Sequence, residues 1–82
     1  MERCIGVIGI IVEDRERVAP KVNAYLSEYG EIIIGRMGVP YKARGINIIT
    51  IIVDGTTDEI GALTGKLGML KKVKVESALV RV

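Results

Sequence analysis

The stretch Ile46-Asn47-Ile48-Ile49-Thr50-Ile51-Ile52-Val53-Asp54-Gly55-Thr56-Thr57-Asp58-Glu59-Ile60 contains the two signals that decide the fold. Ile46 to Val53 is mostly Ile and Val, interrupted by Asn47 and Thr50, and reads as a buried strand. Thr56 or Thr57 can then cap a helix, and Asp58 and Glu59 place negative charge where the helix dipole favours it. Ile60, Leu63, Leu67 and Leu70 form the buried stripe of that helix, and Lys71 and Lys72 suit its exit. Val73, Val75, Ser77 and Leu79 alternate with Lys74, Glu76 and Ala78 in a further strand.

The same succession occurs upstream. Ile5 to Val12 reads as a strand; Val18, Val22, Tyr25, Leu26 and Tyr29 recur at helical spacing, and Gly30 stops the helix. Ile10-Ile11-Val12-Glu13 lines up with Ile51-Ile52-Val53-Asp54 at an offset of 41, and Ala19, Val22 and Leu26 then match Ile60, Leu63 and Leu67. The halves look like two copies of one strand–helix–strand unit. Pro20 removes a donor and crowds the preceding turn, so the regular helix is expected from about Arg17, with Asp14 to Glu16 as its approach. Glu31 to Val39 is the second strand, and Gly38 to Gly45 marks the turn to the third.

The order β-α-β-β-α-β defines an α+β, ferredoxin-like domain spanning residues 1–82. It has a four-stranded antiparallel sheet, two helices on one face, and strands one and three at its centre. The chain's 82 residues, 8.9 kDa, leave no room for a second core. Apolar residues at 49% exclude a disordered chain, and a net charge of +2 gives no general electrostatic signal for nucleic acid. With no His and only Cys4, zinc sites, disulfides and histidine-based catalysis are unavailable within one chain. Neither apolar run approaches the ~20 residues of a membrane helix. Glu13 to Arg17, rather than a cleavage site, follows the first run, so a cytoplasmic location is expected.

Both central strands are apolar on both faces. Cys4, Ile8, Ile10 and Val12 alternate with Ile5, Val7 and Ile11; Ile46, Ile48 and Ile52 alternate with Ile49, Ile51 and Val53. A sheet covered on one side only should be polar on the other. The expectation is a homo-oligomer, dimer or tetramer, packed sheet against sheet through Ile5, Val7, Ile11, Ile49 and Ile51.

Two segments are candidate ligand surfaces. Arg36, Met37, Gly38, Tyr41, Lys42 and Arg44 gather cations, glycine and an aromatic ring that could hold an anion or a partner's carboxylates. Gly55, Thr56 and Thr57 open a helix, where free amides favour anions, although ordinary capping explains them as well. Catalytic constellations are missing. The acidic Val12-Glu13-Asp14 turn would repel the phosphate that acylphosphatases of this topology hold there. Copper carriers need a Cys-x-x-Cys, and RNA-recognition domains need aromatic rings on strands one and three. No metal, cofactor or catalytic residue is expected, and nucleic-acid binding is not expected of this domain alone.

With these residues in view, the chain resembles a family of small stand-alone ACT-like proteins described as regulators of the iron-only hydrogenase system. The resemblance is carried by Arg17-Val18-Ala19-Pro20-Lys21-Val22-Asn23, by Gly35-Arg36-Met37-Gly38, and by the run from Val53 to Gly68. More distantly it is similar to the C-terminal domain of nickel-responsive repressors, a tetramer-forming metal-sensing unit. The nickel ligands of those repressors are His and Cys, so nickel binding does not carry over, and their DNA-binding arm has no counterpart in these residues. The resemblance implies a ligand-sensing, oligomeric regulatory domain without catalytic activity; the alternative is a protein-binding adaptor with no small-molecule ligand.

Overall fold

Residues 3–82 are described by a computed structural model. Two long antiparallel strands, β1 (Arg3–Val12) and β3 (Ile46–Thr56), form the centre. β2 (Ile33–Tyr41) lies outside β3 and β4 (Val73–Arg81) outside β1, in the order β2-β3-β1-β4. α1 (Arg15–Glu28) follows β1, and α2 (Thr57–Gly68) follows β3. This is the expected βαββαβ arrangement of an α+β domain. Single turns of 3₁₀ helix at Gly30–Ile32 and Lys42–Arg44 lead into and out of β2.

One parity of the strands makes the core. Cys4, Ile8, Ile10 and Val12 of β1 meet Ile49, Ile51 and Val53 of β3, and Val22, Leu26, Ile60, Leu63 and Leu67 from the two helices pack onto them. Both helices therefore cover the same face, and no polar side chain among the described residues is buried there as a whole. Gly6 is needed in this layer: a Cβ would stand 2.7 Å from Leu79 Cδ2 and 3.0 Å from Val53 Cγ2.

Helix α1 starts earlier than Pro20 suggested. The Asp14 side chain accepts a hydrogen bond from the Arg17 amide, which caps the helix ahead of Arg15 and puts Pro20 inside it rather than in its first turn. Pro20 lies on the exposed side. Glu16, whose carbonyl a residue other than proline would bond at this position, is exposed as well, so the missing bond falls on the solvent side of the helix. The β2–β3 connection is also shorter than expected. Strand pairing continues to Tyr41, opposite Ile46, and the turn is confined to Lys42–Arg44 and Gly45, whose φ of 65° suits glycine.

α2 begins at a reciprocal cap. The Thr56 hydroxyl accepts from the Glu59 amide at 3.1 Å, while the Glu59 carboxylate accepts from the Thr56 amide at 2.9 Å. At the opposite end of the sheet, the Glu13 amide donates to the Lys72 carbonyl at 2.8 Å. That bond ties the end of β1 to the start of β4, next to Lys72, whose φ is positive at 66°.

Candidate functional site

The face of the sheet away from the helices has no packing partner among the described residues. Antiparallel register fixes its members, because directly opposed residues project to the same side. β1 contributes Ile5, Val7 and Ile11, opposite Asp54, Ile52 and Ile48 of β3. β2 adds Met37, Val39 and Tyr41, and β4 adds Val80 and Ala78. Val7, Ile52, Met37 and Val80 are 48, 40, 63 and 62% exposed, far above ordinary core values, so an apolar surface runs across all four strands. Polar groups lie at both ends, where Asp54 bonds Arg3 and Glu13 pairs with Lys74 at 3.2 Å, and in the middle row, where Thr50 and Glu76 flank Gly9.

Two residues expected on this face are not there. Ile49 and Ile51 are 7% and 0% exposed and pair with Ile10 and Ile8 in the helix-covered core. Their outward-facing counterparts are Ile48 and Ile52. The repeat held the information: at an offset of 41, Ile8, Ile10 and Val12 correspond to Ile49, Ile51 and Val53, so identical faces were implied.

The candidate ligand residues separate into three places. Gly55, Thr56 and Thr57 lie at the end of β3 that pairs with the start of β1, whereas Lys42 and Arg44 form the turn at the opposite end. An eleven-residue strand lies between, about 33 Å of extended chain. Thr56 is occupied by its cap, and Gly55 is buried where a Cβ would press on Ile32 and Glu59 at 3.3 Å. These features make the Thr56 region a structural joint. Met37 and Tyr41 face outward with the open sheet, while Arg36 and Gly38 alternate with them toward the helix side.

Arg36 and Gly38 share a cleft of about 260 Å³ with Pro40, with Asn47 of β3, and with Ala19 and Asn23 of α1. Ala19 and Asn23 lie one helical turn apart on one side of α1, and Asn47 is opposite Pro40. The Arg36 guanidinium donates to Asn23 Oδ1 at 2.7 Å, bridging helix and sheet. Asn47 Oδ1 is buried without a hydrogen-bond partner among the described residues, a condition that costs about 1–3 kcal/mol. Gly38 opens the space, since a Cβ there would meet nothing within 4 Å. Sequence reasoning missed Asn47, Asn23 and Ala19. A polar residue interrupting an Ile-rich central strand was the one available signal, and it marked Asn47.

The remaining polar clusters are structural. Lys66 of α2 pairs with Glu28 at 3.0 Å and lies 5.0 Å from the ring centre of Tyr29, joining the helices at their exposed side. Hydrogen bonding with Tyr29, then with Glu28, holds its ammonium above the ordinary lysine range. The amide and hydroxyl of Thr56 hold the Glu59 carboxyl below its usual range. No group of three or more metal-ligating side chains occurs among the described residues. None of the described helices is long and apolar enough to cross a membrane.

The sheet order and the helices on one face define a small α+β domain of ferredoxin-like topology. A family model described as "TM1266-like: Iron-only hydrogenase system regulator, putative" matches residues 4–77, and the chain belongs to that family. Its backbone is similar to the solved structure of the uncharacterized protein TM1266 from Thermotoga maritima. The TM-score is 0.93 at 35% identity, over 96% of this chain and 99% of that one. No curated protein matches the chain.

Proposed function

We propose that this protein is a non-catalytic regulatory domain that works as a self-associated unit, packed through its open sheet face, and that responds to a small ligand. The observation that carries the reading is the exposed, mainly apolar surface of that face, with Val7 and Ile52 at its middle, Val80 on one edge strand and Met37 and Tyr41 on the other, interrupted by Thr50 and Glu76. Four strands about 4.8 Å apart and about 30 Å long span a face on the order of 600 Å². That approaches the ~800 Å² each partner buries in a standard stable interface. Gly9, at the middle of the face, has no protein atom within 4 Å of where its Cβ would stand, which lets a second sheet come close. The family's description as a regulator agrees with this role.

Light scattering tests it. The wild-type chain is expected to have a mass of at least two copies of 8.9 kDa, and Val7→Glu with Ile52→Glu to return a folded single chain. A wild-type mass of one chain at high concentration overturns self-association and leaves the face to a different partner protein, as an adaptor would use it.

A further inference from the structure

We propose that the cleft between α1 and the β2–β3 pair binds a small organic anion that also carries a hydrogen-bond donor, with hydroxycarboxylates as the simplest class. The proposal rests on the ligand-responsive half of the reading above and names the site and its chemistry.

Three properties of the cleft select that class. The first is an available cation. Arg36 commits one N–H to Asn23, and no carboxylate among the described residues lies within ion-pair distance of it, whereas Arg3, Lys66 and Lys74 are all paired. A guanidinium has five donors in a planar fork suited to a carboxylate. The second is a demand for a donor. Asn47 lines the same cleft, and its Oδ1 is buried with nothing to accept from, so a ligand hydroxyl or N–H met by a rotation of this partly buried side chain gains there what the folded chain lacks. The third is room of limited size. A volume near 260 Å³ lies below the ~300–1,000 Å³ of sites for drug-sized ligands, which restricts the occupant to a small molecule.

The space is kept open by a particular residue. Gly38 lies opposite Ile49 on the helix side of β2, and its missing side chain leaves a gap that a larger residue would fill without collision. Because Arg36, Gly38 and Asn47 belong to the helix side, the cleft does not compete with a second copy packed on the opposite face. A ligand joining Arg36 to Asn47 would connect α1, β2 and β3 through the existing bond to Asn23.

Nitrogen-15 NMR titration of the full chain with lactate, and with size-matched propionate, which lacks the hydroxyl, tests the site. Lactate is expected to give saturable shifts at Asn23, Gly38 and Asn47 in the millimolar range, and propionate to bind about tenfold more weakly. Gly38→Val should abolish the lactate response while the folded spectrum and the light-scattering mass stay unchanged. Asn47→Leu should bring lactate down to the propionate level. No saturable shift with lactate, shifts that survive Gly38→Val, or equal binding of the two acids overturns the proposal. The mass is read separately, so loss of the ligand site and loss of self-association are distinguishable.

Discussion

Gly9 of β1 pairs directly with Thr50 of β3 at the centre of the sheet, and the two are 41 positions apart, the offset that relates the two halves of the chain. Each therefore lies opposite its own counterpart, and the approximate two-fold relation between the halves passes through this pair. The core follows the same relation: Ile8, Ile10, Val12, Val22 and Leu26 correspond to Ile49, Ile51, Val53, Leu63 and Leu67, all buried. The open face follows it too, with Ile11 and Ile52 both directed away from the helices.

Neighbouring isoleucines on β3 should therefore behave oppositely. Ile51→Ala removes a fully buried side chain and is expected to cost about 2–5 kcal/mol in denaturant unfolding. Ile52→Ala, 40% exposed, should cost much less per chain and instead weaken self-association, seen as a lower mass on dilution. Equal losses of stability from both would contradict the assignment of faces.

Gly6→Ala places a methyl group against Val53 in the core and against Leu79, whose half-exposed side chain can move aside. The expected loss is about 1 kcal/mol or more, read as a lowered midpoint of thermal unfolding. Gly38→Ala, with open space around it, is the control and should not destabilise the fold.

The cap of α2 gives an acid-side prediction. Because the Glu59 carboxyl titrates below its unfolded value, its contribution is present at neutral pH and is lost as the pH falls through its lowered pKa. Glu59→Gln can keep the reciprocal cap without a titrating group, so unfolding curves from about pH 5 to about pH 3 should slope less steeply in the variant. Thr56→Ala removes the hydroxyl acceptor and should cost about 1 kcal/mol throughout.

Asn47 carries an unmet acceptor that a purely structural residue would not need. Asn47→Leu, similar in size and without the orphaned oxygen, is expected to raise stability by about 1 kcal/mol in urea unfolding. A large loss instead would show that the amide supports the fold.

Element type and order were legible in the linear pattern, because period-two and helical spacing of Ile, Val and Leu are local properties. The acidic start of α2, the alternation in β4 and the Gly45 turn were equally local. So was the apolar character of both sides of β1 and β3. Which side of β3 meets the helices was not local. It depends on pairing register, and a shift of one residue exchanges the faces, so Ile49 and Ile51 entered the core while Ile48 and Ile52 faced outward. Pro20 misled for a related reason: the Asp14 cap and an exposed helix side together tolerate a proline that isolated propensity would reject. The cleft depended wholly on tertiary structure. Ala19, Arg36 and Asn47 are remote in sequence, and only the packing of α1 beside an edge strand with glycine at position 38 brings them together around an unfilled space.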